Sequence, residues 1–267
     1  MLPSTRTQGL SAPDAVVVAL WLTAWCHGSA AADDLLGVLG HVAPDSPLLV
    51  LDGTSVDTAD ALLRRGRAAG VVAAWPVLPR PGRTLGWPTD VAGVPEPGVL
   101  LVDDGGVARL LLRAGSSGWG LVPTTSPAAA PLLAESVPPR AGARRFAALL
   151  EEATADLARL GLDRAPTGAA PARWGRALRA LPHSLDPGLV ALLHRVALVL
   201  DALELALADE GAAVTAGEVR ARAARLLALH GQLEDLVTAA CVGTATVQTA
   251  GHTDVISARA AGPGGGA

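Results

Sequence analysis

Three aspartates follow apolar runs in the N-terminal half of the chain. A carboxylate at the end of such a run is able to take part in catalysis. Asp52 ends the run Pro47-Leu-Leu-Val-Leu-Asp52, and Asp103 and Asp104 directly follow the run Val99 to Val102. Carboxylates at strand ends act as general acids and bases or bind metal ions. One hypothesis is therefore an enzyme that acts on an anionic metabolite, provided that these carboxylates converge in one pocket together with an arginine.

The segment Leu48 to Thr54 resembles the first motif of haloacid-dehalogenase-like phosphatases, which is an apolar strand followed by Asp-x-Asp-Gly-Thr. The nucleophile of that family is the first Asp of the motif, and Val50 occupies its place here. Because valine cannot attack a phosphoryl group, the resemblance does not extend to the activity. Asp52-Gly53-Thr54 is better interpreted as a turn between a strand and a helix.

The segment 76–98 is the strongest candidate for a binding site. Its density of Pro and Gly excludes a long regular element, and loops longer than about 12–15 residues are often functional in compact domains. Arg80 and Arg83 are suited to hold an anion or the carboxylate of a partner, while Trp87 offers a stacking surface. Asp90 is a further charged residue of this loop. The alternative is that the prolines fix the loop over the sheet and leave both arginines in solvent.

A basic stripe is predicted near the start of the helical half. Arg173, Arg176 and Arg179 recur at every third position beside Trp174. On a helix this spacing places the arginines on one face, which could meet an acidic partner. A solvated basic face, with the arginine stems covering apolar surface, is the preferred interpretation.

Other common sites are excluded by residue type or spacing. The chain contains no lysine, which rules out a Gly-x4-Gly-Lys phosphate loop, and no Gly-x-Gly-x-x-Gly follows the first predicted strand. Its six histidines show no zinc spacing. Cys26 lies in an apolar run, as a buried thiol would, and a disulfide with the distant Cys241 stays open. No cofactor and no metal are predicted.

The charge balance argues against a nucleic-acid partner. With 21 basic residues, all of them arginine, and 25 acidic ones, the net charge is −4. Neither half of the chain is basic, as a general nucleic-acid binder would require. The apolar residues are mostly Ala, Val and Leu, a bias that we attribute to a genome of high GC content.

Membrane insertion is not predicted either. No segment reaches the ~18 uncharged apolar residues that span a bilayer. The run Ala15 to Cys26, followed by Ser29-Ala30-Ala31, has some features of a signal peptide. Asp14 next to the run and two tryptophans inside it favour a buried first helix instead. We therefore expect a soluble, cytoplasmic protein, and whether residues 15–32 act as a signal peptide stays open.

The N-terminal half shows the pattern of a βαβ unit. A strand at 47–52, a helix at 59–69 that Gly70 ends, and a strand at 71–78 follow one another at the required spacing. This predicts a parallel pair of strands joined by a right-handed crossover. The 76–98 loop would then leave the carboxyl end of the second strand, where ligands bind in open parallel sheets.

A hairpin and several helices complete the predicted elements. Asp103-Asp-Gly-Gly106 separates strands at 99–102 and 107–113, as in a β-hairpin. The remaining elements are a strand at 119–123 and helices at 14–27, 31–42 (capped by Ser29), 143–161, 172–181, 187–209 and 216–243. The last two helices are expected to pack as an antiparallel hairpin, since a short loop joins them.

The predicted fold class is α+β or α/β: a small mixed β-sheet with flanking helices, followed by a C-terminal helical bundle. The predicted units are a mixed α/β domain at 1–125, a Pro/Ala/Ser-rich linker at 126–142, a helical domain at 143–250, and a disordered Gly-rich tail at 251–267.

Three segments carry a resemblance to other proteins. They are Pro76-Val-Leu-Pro-Arg-Pro-Gly-Arg83, Trp119-Gly-Leu-Val-Pro123 and the helix Leu198 to Asp209. In their general texture they resemble a group of actinobacterial proteins of unassigned function. This resemblance implies no activity and no site residues.

These observations favour a binding or regulatory protein over an enzyme. We expect it to engage a protein partner or a small anionic ligand through the 76–98 loop. The binding residues are then Arg80, Arg83, Trp87, Asp90, Asp52, Asp103 and Asp104. The alternatives are the enzyme with strand-end carboxylates and a structural homodimer built on the long helices. The homodimer predicts an exposed Leu/Ala face along 189–207 or 226–240.

Overall fold

The computed structural model describes residues 10–42, 48–50, 59–115, 118–159, 172–208 and 216–260. Its helices are α1 (Ala12–Cys26), α2 (Ala32–Val42), α3 (Ala59–Ala68), α4 (Ala129–Ala134), α5 (Pro139–Arg159), α6 (Arg173–Ala177), α7 (Pro187–Ala208) and α8 (Ala216–Ala260). Its strands are β1 (Leu48–Val50), β2 (Ala73–Val77), β3 (Gly98–Val102), β4 (Ala108–Gly115) and β5 (Gly118–Pro123). A 3-10 turn, Leu178–Ala180, continues α6.

The strands form one mixed sheet in the order β1-β5-β4-β3-β2. From β2 to β5, neighbours along the chain pair antiparallel, while β1 joins β5 in parallel. Helices surround this sheet, and the second half of the described chain is helical. The predicted fold class, a small mixed sheet with flanking helices and a C-terminal helical bundle, is confirmed.

The predicted parallel βαβ pair is wrong. β1 and β2 lie at opposite edges of the sheet and run in opposite directions. The reason is that β2 pairs antiparallel with β3, from Ala73 opposite Val102 to Val77 opposite Gly98, so the 76–98 segment reverses the chain. The rule that ligands bind at the carboxyl ends of parallel strands therefore does not apply to this loop.

The hairpin of β3 and β4 forms as the Asp-Asp-Gly-Gly signature predicts. The backbone N–H of Asp103 donates to the carbonyl of Val107 at 3.0 Å, and that of Gly106 donates to the carbonyl of Asp103 at 3.0 Å. Gly106 has a φ of 70°, a left-handed conformation that glycine adopts without steric cost. The pairing register shifts between Leu101 and Val102, where the strand enters the turn.

Helix α1 packs against the free edge of the sheet. Ser11 caps its first turn, and nearly all its side chains are buried, Val16 and Val18 completely. The hydroxyl of Thr23 donates to the carbonyl of Ala74 at 2.9 Å and accepts from its N–H at 3.0 Å. Because β2 is an edge strand, these bonds satisfy backbone groups that would otherwise be exposed to a second chain.

The turn after α1 differs from the sequence-based prediction in one detail. Ser29 does not cap α2; its hydroxyl donates to the carbonyl of Ala24 at 2.9 Å and so closes the end of α1. Gly28, with a φ of 69°, makes this reversal. The apolar run Ala15 to Cys26 thus forms a core helix between the sheet and α2.

The sheet and the bundle share one core. Helices α7 and α8 pack against each other as predicted, and α5 lies against both. Arg222 on α8 donates to the carbonyl of Ala206 on α7 at 2.8 Å, which places the start of α8 beside the end of α7. Helix α8 also contacts β2, and the main buried cluster joins sheet residues such as Leu101 with helical ones such as Leu236.

Two segments that the sequence predicts to lack regular structure are helical in part. Residues 126–142 contain α4 and the start of α5. Leu132 of α4 is buried in a second core cluster, together with sheet residues such as Trp75 and Leu100. The predicted tail begins inside α8, which continues to Ala260, and residues 261–267 lie outside the described residues. The division into two domains stays a prediction.

No helix in the described part of the chain combines the length and the apolar character that a bilayer crossing needs.

Candidate functional site

The two arginines of the 76–98 loop bind helix α8. Arg80 donates to both carboxylate oxygens of Asp235, at 2.9 Å and 2.6 Å. Arg83 donates through Nε to Asp235 at 3.0 Å and through its terminal nitrogen to Glu135 at 2.6 Å. We call these four residues the arginine clasp. It fastens the loop to the helical half of the chain.

A tight turn aims both arginines in the same direction. The backbone N–H groups of Arg80 and Arg83 each donate to the other residue's carbonyl at 2.8 Å. Pro81 and Gly82 occupy the two central positions, and Gly82 has a φ of 79°. Proline followed by a glycine with positive φ is the signature of a type II turn. Side chains of directly paired residues lie on the same side, here the side of α8.

The clasp changes the charge properties of Arg83. Burial acts to lower the pKa of its guanidinium, but the neighbouring Asp235 and the hydrogen bonds to Glu135 and Asp235 outweigh it, so the pKa is raised. Arg83 is therefore a cation whose charge is already balanced within the molecule. An anion or a partner carboxylate would have to compete with these carboxylates.

Trp87 does not offer a stacking surface. Its indole is 8% exposed and belongs to the second core cluster, together with Val91 from the same loop. The chain passes so close to α4 here that a β-carbon at Gly86 would lie 2.6 Å from the side chain of Leu132. The ring is part of the core and is not available to a ligand. Neither the residue type nor its spacing in the sequence predicts this burial.

Asp90 is bound to the strand-end residues after β5. It accepts from the hydroxyl of Thr124 at 2.6 Å and from the backbone N–H of Thr125 at 2.8 Å. The hydrogen bond from Thr124, then that from Thr125, lowers the pKa of this carboxyl. Asp90 thus ties the far end of the loop to the sheet, while the arginine clasp ties the near end.

The strand-end carboxylates have separate surroundings. Asp103 accepts from the N–H of Val107 at 2.8 Å and from Nε of Arg109 at 2.8 Å. Burial raises the pKa of Asp103, but these bonds and the charge of Arg109 outweigh it, so the pKa is lowered. Asp104 is exposed on the same turn, and Asp52 lies outside the described residues.

The thiols and the remaining metal-binding residue types form no cluster in the described chain. Cys26 and Cys241 are both free, and burial raises the pKa of each thiol to about 12. Within the described ranges, no three His, Cys, Asp or Glu side chains come together in a group suited to a metal ion.

A groove between α1, α2 and α6 has a volume of about 630 Å³. Both α2 and α6 are in contact with α1. Its floor comes from α1, where Pro13, Val17 and Trp21 follow one another at the i, i+4 spacing of one helix face. Other lining residues are Ser11, Asp14, Asp33, Asp34, Gly37, Val38, His41, Val42, Arg173, Arg176, Ala177 and Ala180.

A buried carboxylate holds α6 in place beside this floor. Asp201 on α7 is 6% exposed and accepts from the backbone N–H groups of Trp174 at 3.0 Å and Gly175 at 2.9 Å. These N–H groups belong to the first turn of α6, which lacks a side-chain cap of its own. The buried Trp174 and the bond from the Trp21 indole to the carbonyl of Ala180 complete the attachment.

The two walls of the groove carry opposite charges. Helix α2 contributes Asp33 and Asp34, both exposed, and α6 contributes Arg173 and Arg176. Arg173 forms an ion pair with Glu204 at 3.1 Å. Among the described residues, Arg176, Asp33 and Asp34 have no ion-pair partner, so the acidic wall and Arg176 lie more than 4.0 Å apart.

Sequence reasoning missed this groove. It interpreted Arg173 and Arg176 as part of a solvated basic face. It also assigned the whole of α1 to the core, although one face of this helix lines the groove. The exposed glycine at position 37 and Trp21, only half-buried in an otherwise buried helix, mark the opening. Both features depend on how three helices pack, so neither is visible in a single segment.

No family model, no curated protein and no solved structure matches this chain.

Proposed function

We propose that this chain is a binding protein that holds a small organic ligand in the groove between α1, α2 and α6. The carrying observation is the groove itself, about 630 Å³ in volume, with a floor that is apolar apart from Asp14 near its start and a few charged groups on its walls. Ligand sites usually measure ~300–1,000 Å³ and combine an apolar lining with a small number of polar groups. Size and lining both fit this class.

The groove is a better candidate than the 76–98 loop. Arg80 and Arg83 already form hydrogen bonds with carboxylates of the same chain, Asp235 on α8 and Glu135 at the end of α4. Trp87 is buried. Binding through the loop would first have to break these contacts. We therefore keep the hypothesis of a binding protein and assign its site to the groove instead of the 76–98 loop.

The two other hypotheses stay open with less support. An enzyme needs Asp52, Asp103 and Asp104 in one pocket, whereas Asp103 is engaged with Arg109 beside its own turn. A homodimer needs an exposed Leu/Ala face on the long helices, and there Leu198 and Leu227 are 71% and 59% exposed. Exposed alanines lie next to them, Ala202 on α7 and Ala224 and Ala228 on α8, so each helix carries a small patch of this kind.

Two glycines of α2 provide a matched test. Gly37 lines the groove and Gly40 does not, yet both are exposed, and a β-carbon at either position would meet nothing within 4 Å. Gly37→Phe is expected to place a ring in the groove, while Gly40→Phe places the same ring in solvent. Wild type and both variants would be purified natively, and the small molecules released on denaturation identified by mass spectrometry.

The expected result is a ligand that accompanies the wild type and Gly40→Phe but is lost from Gly37→Phe. If Gly37→Phe retains the same molecule, the groove is not the site. If instead a stoichiometric protein partner is recovered and is lost on Arg80→Ala, the loop hypothesis replaces the present one.

A further inference from the structure

We infer that the ligand of this groove is an elongated zwitterion with an apolar middle, the chemistry of a short apolar peptide whose two ends are free. This inference rests on the proposed function and adds the class of ligand. It is argued from the arrangement of the charges, the nature of the floor and the size of the groove.

The charges of the walls are complementary to a dipolar molecule. Asp33 and Asp34 face the groove from α2 and Arg176 from α6, and none has an ion-pair partner among the described residues. Opposite charges that line one cavity without joining each other create a field across it. A ligand with an ammonium group at one end and a carboxylate at the other satisfies both walls at once, whereas a simple anion satisfies one and is repelled by the other.

The floor between the walls favours an apolar body. Pro13 and Val17 are buried, and Trp21 presents a half-buried indole whose Nε1 already donates to Ala180. Indole rings offer a large, rigid contact area for apolar or aromatic groups. Leucine or phenylalanine side chains would cover this floor and displace water from it.

The size of the groove favours a ligand longer than one amino acid. Its volume of about 630 Å³ falls within the ~300–1,000 Å³ typical of ligand sites, and a single free amino acid would leave most of that space to water. An extended peptide gains ~3.3–3.6 Å per residue, so two or three residues fill more of the groove than one residue does.

The test uses the tripeptide Leu-Ala-Phe in three forms, with free ends, with an acetylated amino end and with an amidated carboxyl end. Binding to the full chain would be measured by isothermal titration calorimetry. Each blocked end is expected to weaken binding roughly two- to fivefold, as for an exposed ion pair. Arg176→Ala should remove the preference for the free carboxylate, and the double variant Asp33→Asn with Asp34→Asn the preference for the free amine.

The matched control is Arg179→Ala. Arg179 is an exposed arginine of the 3-10 turn that continues α6 and does not line the groove, so both preferences should survive its removal. If all three peptide forms bind wild type equally, or if Arg179→Ala acts like Arg176→Ala, the inference is overturned.

The failure of the inference is distinguishable from that of the proposed function. If no form of the peptide binds, while Gly37→Phe still loses the natural ligand that Gly40→Phe keeps, the ligand class is wrong and the groove remains the site. If no form binds and Gly37→Phe keeps its ligand, both proposals are wrong.

Discussion

The guanidinium of Arg80 lies against the backbone of Gly231 on α8, so close that a β-carbon at position 231 would come within 2.7 Å of its Nε. This approach lets Arg80 reach both carboxylate oxygens of Asp235, one turn further along the helix. A glycine inside a helix costs ~1 kcal/mol relative to alanine. Here that cost is offset by the contact it permits, which joins the 76–98 loop to the bundle.

Gly231→Ala is therefore expected to change stability in a way that depends on Arg80. The new methyl group displaces the guanidinium and weakens its bond with Asp235, a partly buried pair worth about 1–2 kcal/mol. The gain in helix propensity, about 1 kcal/mol, offsets part of this loss. Urea unfolding should show a change between zero and about 1 kcal/mol of destabilisation.

The decisive control is the same substitution in an Arg80→Ala background. With the guanidinium gone, only the helix-propensity gain remains, so Gly231→Ala should stabilise the protein by up to about 1 kcal/mol. A substitution that has the same effect in both backgrounds would show that Arg80 does not pack on α8.

Asp235→Asn is expected to loosen the arginine clasp. Asp235 accepts from two nitrogens of Arg80 and one of Arg83, and its side chain is 16% exposed. Losing the charge should cost about 1–3 kcal/mol in the free energy of unfolding, since charged hydrogen bonds of a mostly buried group are lost.

Its neighbour Glu234 supplies the matched control. Glu234 reaches Arg80 only at 4.0 Å and is similarly buried. Glu234→Gln should therefore cost clearly less than Asp235→Asn in the same urea titration. Hydrogen exchange should also speed up in the 76–98 loop of the Asp235 variant alone; equal exchange in both variants would contradict the clasp.

Local patterns were enough to predict most elements of the fold, because each pattern depends on neighbouring residues, but they did not predict α4 or the continuation of α8 to Ala260. Asp-Asp-Gly-Gly specified the β3–β4 turn, and Gly70 ended α3. Strand pairing was not predictable in the same way. β1 and β2 flank a helix as a parallel pair would, but β2 finds its partner in β3 across the 76–98 loop.

The roles of the loop residues depend on distant partners. Arg80 and Asp235 are 155 residues apart, so no short motif joins them. The sequence drew attention to Arg80 and Arg83 as residues suited to hold an anion or the carboxylate of a partner, whereas the carboxylates that they contact in the structure belong to the same chain. Trp87 was chosen as an exposed ring because a Pro-rich loop is usually a surface feature, whereas α4 covers it here.

Asp103 should make the stability of the protein depend on acidity. Its pKa is lowered below the ordinary value of 3.8, so its contribution is complete above about pH 4 and is lost as the pH falls through the lowered pKa. Asp103→Asn keeps the shape of the side chain at position 103 but removes the charge that binds Arg109. The side chain of Arg109 is half-exposed. Near pH 7 the variant should be less stable by up to about 1 kcal/mol.

The pH profile of this difference is the measurement. Thermal or urea unfolding of both proteins from about pH 7 to about pH 2 should show the gap closing as the wild-type carboxyl becomes protonated. A gap that stays constant over this range would show that the charge of Asp103 is not responsible. Asp104→Asn, on the exposed neighbour, should show no gap at either end.

Gly243 marks the closest approach between α8 and the chain that crosses it. A β-carbon there would overlap the carbonyl oxygen of Val137 and lie 2.8 Å from its carbonyl carbon. Backbone atoms cannot move aside as the end of an arginine can, and this crossing is held by the N–H of Val137, which donates to the carbonyl of Ala239 at 3.0 Å. Gly243→Ala should therefore destabilise by about 2 kcal/mol or more, despite a gain of ~1 kcal/mol in helix propensity.

Gly40→Ala on α2 is the comparison that isolates this effect. A β-carbon at Gly40 would meet nothing within 4 Å, so the substitution should stabilise by up to about 1 kcal/mol. Opposite signs for the two substitutions in the same unfolding experiment would establish that a glycine at position 243 is required by the crossing. Two stabilising substitutions would mean that the 135–138 segment does not pack against α8 at Gly243.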